Sequence, residues 1–465
     1  MIDNPAIQAA TAAVNQAIPT AEADPLRPAF HFRAPAQWMN DPNGPLHYQG
    51  RFHVFYQHNP FGDTHGPMYW GHAVTQDLVH WEHLPIALWP STELGETDCF
   101  SGCAAIDGLG QPVLIYTKVD RSPGSARVNQ QWAAIGDADL LTWRKHPANP
   151  ILDLDTHGGP RFARDWRDPF VFTEAGRTFL VVGACWDHGT PIYEAEDASL
   201  ARWRYRGILC DIAAECPNLA RLGDRWIYLS SPYRAVEYHV GRLDLDALTF
   251  LPERHGVLDP GYVDDNGFYA SHLVYGPDGD LILLGWVRGF LPGRGWNGCF
   301  ALPRLLTLDE DGHPRQRPLP ALAQLRTHPR HVAPLTLHDE TRPLPELSGD
   351  MLEIRVELAL GDAQACGLQL RRAADGSRGA LVRYDGKTLH VAGAEFPYPV
   401  TDPKRMIKLH LFLDRSVLEV FVDDGRTCVT RVVMGDPGDV GVAAFAEGGA
   451  ATFRRLDAWT LAPIW

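Results

Sequence analysis

Three carboxylates open three similar stretches of the chain: Asn40-Asp41-Pro42-Asn43, Arg167-Asp168-Pro169 and Glu215-Cys216-Pro217-Asn218. Within ten residues of each comes a turn, then an apolar strand: Phe52 to Gln57 after Asp41, Thr178 to Gly183 after Asp168, Trp226 to Ser231 after Glu215. Carboxylates at matching points of repeated units can converge on one axis. Cleavage of a glycosidic bond with retention needs such convergence, one ionised nucleophile and one protonated acid/base about 5 Å apart. The neighbours separate the roles. Asp41 stands between Asn40 and Pro42, near amide donors that favour the anion. Asp168 follows Arg167, whose guanidinium favours an ionised carboxylate. Glu215 sits among Ala213, Ala214, Cys216 and Pro217 with no adjacent cation, a setting that raises a carboxyl pKa. Glu215 is therefore the expected acid/base, and either Asp41 or Asp168 the nucleophile. A single Asp-Pro in a turn usually only caps backbone amides; three in register argue for a shared site.

Aromatic residues crowd these motifs: Trp38, Phe55, Tyr56, Trp70, Trp81, Phe100, Trp286 and Trp296. Their faces can stack on sugar rings or fill the space between sheets. Gln57, Ser101 and Asn297 offer polar groups to sugar hydroxyls. The 20 histidines show no HExxH or facial-triad spacing, and no Gly-rich phosphate loop or GxSxG elbow occurs. No metal and no cofactor is expected.

The elements that must carry these residues repeat. Five strands follow turn residues: Phe52–Gln57, Val113–Thr117, Thr178–Gly183, Trp226–Ser231 and Leu281–Val287. A Leu-x-x-Trp mark recurs at Leu78/Trp81, Leu140/Trp143 and Leu200/Trp203, spaced by 62 and 60 residues. One blade per period predicts an all-β chain with a five-bladed β-propeller over residues 30–320. Before it, residues 1–29 form an arm with a helix over 4–18, capped by Asn4 with Pro5 in the first turn. Prolines crowd residues 308–347, and 321–347 reads as a linker. From Met351 alternation returns, and residues 348–465 read as a C-terminal β-sandwich.

With 57 acidic against 42 basic residues the net charge is −15, which argues against nucleic acid or an anionic membrane as partner. The eight cysteines show no metal-like spacing and read as reduced core residues. The first 26 residues hold no Lys or Arg and no sustained apolar run, and no stretch suits a bilayer. The expected location is the cytoplasm. The sandwich could serve as a homodimer surface or only as a buttress.

Trp38-Met39-Asn40-Asp41-Pro42-Asn43-Gly44 resembles the signature of the glycoside hydrolase family 32 β-fructofuranosidases, which include invertases, sucrose-6-phosphate hydrolases, levanases and inulinases. Further matches follow in order: Trp70-Gly71-His72-Ala73-Val74, Asp77-Leu78-Val79-His80-Trp81, Phe100-Ser101-Gly102, Arg167-Asp168-Pro169, Glu215-Cys216-Pro217, Phe268-Tyr269-Ala270, Gly295-Trp296-Asn297-Gly298 and Pro303-Arg304. Asp414-Arg415-Ser416 through Glu419-Val420-Phe421 extends the resemblance into the second domain. It implies Asp41 as nucleophile, Glu215 as acid/base, and Asp168 with Arg167 on the fructose 3- and 4-hydroxyls. It places Asn40, Gln57, Phe100, Ser101 and Trp286 around the fructosyl unit, with His65, Trp70 and Tyr269 as further substrate-binding candidates. The implied activity is retaining hydrolysis of terminal β-fructofuranosides such as sucrose or sucrose 6-phosphate. A fructosyltransferase or a fructan (levan or inulin) hydrolase is the alternative on the same scaffold. Beyond these stand an arabinoside-cleaving propeller and a catalytically inactive sugar-binding one.

Four positions depart from the family pattern: His65 and Ala214 where Trp is usual, Cys103 for Ser, and Asn218 for Asp. A phosphate on the leaving sugar would need a basic subsite, for which Arg121, Arg127, Arg288 and Arg294 are candidates.

Overall fold

The computed structural model describes residues 4–125, 128–162, 165–185, 187, 189–400 and 405–465. The five expected strands are the second strands of five sheets, antiparallel apart from one short parallel pairing in the first: Arg51–Asn59, Pro112–Val119, Arg177–Ala184, Arg225–Ser231 and Leu281–Arg288. Each pairs with a first strand, namely Gln37–Tyr48, Asp98–Ile106, Trp166–Glu174, Glu215–Leu222 and Gly267–Tyr275. Each first strand touches the next, and the last touches the first. The closed ring is a five-bladed propeller, with blades I to V in chain order.

The Leu-x-x-Trp mark is the turn between the third and fourth strands of a blade. Leu78, Leu140 and Leu200 sit at φ 60, 56 and 58. A left-handed leucine costs about 1–2 kcal/mol, and burying its side chain, worth about 2 kcal/mol, offsets this. All three are nearly inaccessible. The indoles of Trp143 and Trp203 donate to the carbonyls of Leu140 and Leu200, and Asp77, Asp137 and Asp197 accept the turn amides. Blade IV has the same turn at Asp244 and Leu248 (φ 51) but carries Phe250, one residue closer. That substitution hid the fourth repeat.

The helix Pro5–Glu22 is capped as expected, Asn4 accepting from the amides of Ala6 and Ile7. It runs past residue 18 and through Pro19, because buried Ala21 and the Glu22 ion pairs with Arg27 and Arg33 hold its last turn. No helix among the described residues is long and apolar enough to cross a membrane.

The linker expectation is corrected. Arg326–Val332 and Leu335–His338 pair with Ala450–Leu461, and Thr341–Pro343 pairs with Gly441–Glu447. These residues are sandwich strands. Their prolines fall where no ladder amide is needed: Pro329 in a register break, Pro334 between strands, Pro343 at a strand end.

A buried ionic cluster joins the two domains. The His31 ring lies 2.8 Å from Asp414 and 3.0 Å from Glu419. Asp414 also accepts the amides of Ala29, Phe30 and His31. Arg304 of the propeller reaches Glu419 at 2.7 Å and Asp259 at 3.2 Å. Burial alone would keep His31 neutral, but the two carboxylates push it up to about 9. The Pro303-Arg304 and Asp414 to Phe421 motifs are thus the seam between domains.

Candidate active site

The first strand of every blade carries a bulge at the same height. Two residues oppose one: Asn40-Asp41 against Gln57, Phe100-Ser101 against Thr117, Asp168-Pro169 against Val182, Cys216-Pro217 against Ser230, and Ala270-Ser271 against Gly285. A bulge bends its strand and re-aims the side chains. Asp168, Cys216 and Ala270 take left-handed backbone there, at φ 62, 47 and 47. Pro169 and Pro217 fit because a bulge needs no ladder amide, and Pro42 directly follows the bulge of its strand.

The three acids are not at one identical step. Asp41 is the second bulge residue of its blade, Asp168 the first, and Glu215 precedes the bulge. Residues at the same step meet across blades. Asp41 accepts the Ser101 hydroxyl at 2.5 Å. Arg167, Glu215 and Tyr269 all directly precede their bulges. A terminal nitrogen of Arg167 donates to one oxygen of Glu215, and the Tyr269 hydroxyl to the other at 2.8 Å.

This arrangement corrects the environment expected for Glu215, which has a cation against it. Arg167 comes from the neighbouring blade, and sequence adjacency does not reveal it. The guanidinium also holds Asp165 at 2.7 Å and the Tyr233 hydroxyl at 2.8 Å, and lies 3.9 Å from Asp168.

Burial works against the ionisation expected of both aspartates. Burial pushes Asp168 up to about 7, with Arg167 opposing and the charges of Glu215 and Asp41 adding to the rise. Burial also raises Asp41, against the hydrogen bonds from Ser101 and Asn40. Asp168 is held by the Cys216 amide at 3.1 Å, and its own amide donates to Thr117 at 2.9 Å. Sequence reasoning missed Thr117, Asp165 and Tyr233. A signal existed for Tyr233, since Ser231-Pro232-Tyr233 ends the blade IV strand beside Glu215.

Of the predicted binding residues, Asn40 donates to Asp41 at 3.0 Å and accepts the Trp38 indole at 2.7 Å. Gln57 donates to Ser101, and its side-chain oxygen is buried without a partner among the described residues. Trp38 and Trp286 meet edge to face at 5.6 Å, and His65 stands exposed between Trp38 and Phe100, about 6 Å from each ring. Trp70 is corrected to a supporting role: it is fully buried and its indole donates to the Phe100 carbonyl at 3.2 Å.

Among the other departures, Ala214 and Cys103 are buried, and Asn218 bonds to backbone only: the carbonyls of Cys216 and Ser271 and the Leu273 amide. Of the basic candidates, Arg121 lies over Phe100 at 5.0 Å and Arg288 over Trp286 at 5.0 Å. Arg294 is instead tied to Asp24 at 2.9 Å. Arg127 lies outside the described residues.

Converging carboxylates ringed by aromatic and amide groups at one end of a propeller axis, with a β-sandwich behind, define a glycosidase. The chain belongs to glycosyl hydrolases family 32: residues 31–318 match the family's N-terminal domain and residues 321–460 its C-terminal domain. It is 31% identical to the sucrose-6-phosphate hydrolase of Escherichia coli, over 93% of this chain and 94% of the relative. It is 30% identical to the levanase of Bacillus subtilis, over 94% of this chain and 71% of the relative. Among solved structures it resembles the family 32 beta-fructofuranosidase of Bombyx mori, at TM-score 0.83, 26% identity and 99% coverage of both chains.

Proposed function

We propose that the chain is a retaining β-fructofuranosidase acting on sucrose or its 6-phosphate. Asp41 attacks the anomeric C2 of a terminal fructosyl unit while Glu215, in its protonated form, gives its proton to the departing glycosidic oxygen. Glu215 then takes a proton from water, whose oxygen attacks C2 and releases fructose and the Asp41 carboxylate. Asp168, buried beside Asp41, binds the fructose 3- and 4-hydroxyls with Arg167. The observation that supports this reading is the bulge register: Asp41 lies at one level of the axis, and across two blade seams Arg167 and Tyr269 hold both oxygens of Glu215. The relatives that cleave sucrose 6-phosphate support the substrate class, as do Arg121 and Arg288 on aromatic residues of the rim.

The test is to trap the intermediate. Glu215→Gln, mixed with β-fructofuranosyl fluoride, whose fluoride leaves without a proton, and acid-quenched, should carry one fructosyl group on the peptide containing Asp41. An adduct on any other peptide sinks the assignment. Turnover of sucrose against sucrose 6-phosphate then decides between the two substrates.

A further inference from the structure

Away from the catalytic face, a cavity of about 450 Å³ opens between propeller and sandwich. The end of the outer blade V strand Pro314–Pro318 and the following turn form one wall. The other is the outward face of the sandwich strands Met351–Ala359, Met406–Asp414 and Ala450–Leu461. Strand alternation sorts the residues: Ile354, Val356, Leu409 and Leu456 fill the sandwich core, while Arg355, Glu357, Lys408 and Arg455 point outward. Glu357 stands opposite Lys408 on one side and Arg455 on the other. With Arg317 and Asp424 across the gap, four cations face two carboxylates, in a chain whose net charge is −15.

Two of these cations are already neutralised. Lys408 pairs with Asp424 at 3.1 Å and Arg455 with Asp457 at 2.5 Å. Arg317 has no ion pair among the described residues, and Arg355 has only a long one, to a carboxylate it shares with Arg326. Arg317 donates only its Nε, to the Asp424 carbonyl at 3.2 Å. Arg355 meets Glu353 and His410 only at 3.4 Å, because Glu353 already accepts both donors of Arg326, at 2.5 and 2.6 Å, and the His410 ring at 2.7 Å. Among the described residues, the terminal nitrogens of Arg317 and Arg355 have no hydrogen-bond partner. Trp459 lies beside both guanidinium groups, with Arg326 at 4.4 Å and Arg355 at 5.8 Å from its ring. Burial, with Arg326 and Arg455 adding their repulsion, lowers the Arg355 pKa despite Glu353; an anion in the cavity would reverse that repulsion.

We propose that this interdomain cleft binds a phosphorylated small molecule, with its phosphoryl oxygens on the open forks of Arg317 and Arg355. A guanidinium fork matches phosphate oxygens two at a time. The volume lies in the range of small-ligand cavities. An adjoining lobe of about 200 Å³ shares Pro318, Pro320, Arg355 and His410 and gives room for an organic group. Because the walls come from both domains, an occupant ties them together and stabilises the fold by linkage.

The full chain is titrated with inorganic phosphate, pyrophosphate and glucose 6-phosphate at constant ionic strength, followed by calorimetry and thermal unfolding. At least one should raise Tm at millimolar concentration. The double variant Arg317→Gln/Arg355→Gln should lose about tenfold or more in affinity, as expected when two charged hydrogen-bonding groups go, and keep the wild-type kcat and KM on sucrose. If glutamine prevents folding, Arg317→Lys/Arg355→Lys keeps the charge without the fork and should bind several-fold more weakly. Equal binding of phosphate and glucose 6-phosphate supports a site that reads the phosphoryl group alone; tighter binding of the sugar phosphate supports one that reads both parts. The proposal is overturned if no compound binds, if the glutamine variant binds as the wild type does, or if the lysine variant loses nothing.

Discussion

Arg167 and Glu215 are 48 residues apart in the chain and meet as an ion pair across the seam between blades III and IV. One guanidinium serves Asp165, Glu215 and Tyr233 together, beside the Asp168 carboxylate. The pair is mostly shielded, each side chain about 15% exposed, so solvent screens it only in part.

Arg167→Gln leaves two buried carboxyls without their cation. We expect kcat/KM on sucrose to fall about 10²–10⁴-fold, the range for lost acid–base and electrostatic assistance. Arg167→Lys should recover only part, because a point charge cannot serve three partners in one plane. Steady-state kinetics of the two variants check this, and a glutamine variant within tenfold of wild type would refute it.

The role proposed for Asp168 carries a cost in stability. Its carboxyl stands near 7 in the folded chain against 3.8 for the free group, burial being the main cause. Between those values the native state keeps a proton that the unfolded chain has lost, so stability falls as pH rises from 3.8 to about 7. Asp168→Asn removes that dependence. Urea unfolding should show the variant more stable than wild type by on the order of 2 kcal/mol at pH 8, with no gain near pH 4. Its activity should be nearly lost. A variant destabilised at pH 8 counts against this account.

The blade number was legible because each second strand follows a turn and fills the core with β-branched and aromatic residues. The acids were legible as residues but not as environments. What faces Glu215 comes from Arg167 and Tyr269, 48 and 54 residues away, and local neighbours such as Ala214 say nothing of them. The common device, five bulges in register, was visible only through its prolines. Blades II and V place Ser101 and Ser271 at that height instead, and no carboxylate marks them. The prolines of 329–343 suggested a linker because composition does not reveal that they fall at breaks and strand ends.

Asn218 tests a departure from the family pattern. Its amide donates to the carbonyls of Cys216 and Ser271, both at 3.0 Å, and accepts the Leu273 amide at 2.8 Å, stitching blade IV to blade V. Asn218→Asp leaves two carbonyls facing a carboxylate. The expected loss is about 2–4 kcal/mol near neutral pH. An aspartic acid that keeps its proton still donates once, so the loss should grow as pH rises above the ordinary carboxyl value. Thermal unfolding at pH 5 and pH 8 separates this from a pH-independent packing defect.

The domain seam gives a second loss of stability with rising pH, in a higher window. His31 binds its proton up to about 9 in the folded chain against 6.5 when free, with Asp414 and Glu419 overcoming burial. Its contribution is therefore complete below pH 6.5 and is lost as pH rises to about 9. Over that window the wild type should lose up to about 3 kcal/mol from this group. His31→Gln removes the cation and leaves Asp414 and Glu419 buried with fewer partners. Loss of one member of a buried ion pair costs about 3–5 kcal/mol, so the variant should be less stable at pH 6.5. Between pH 6.5 and 9 its stability should be the flatter of the two, since the titrating group is gone. Urea unfolding monitored by tryptophan fluorescence at three pH values tests both statements together. Parallel curves for the two proteins would show that His31 is not the group that couples the seam to pH.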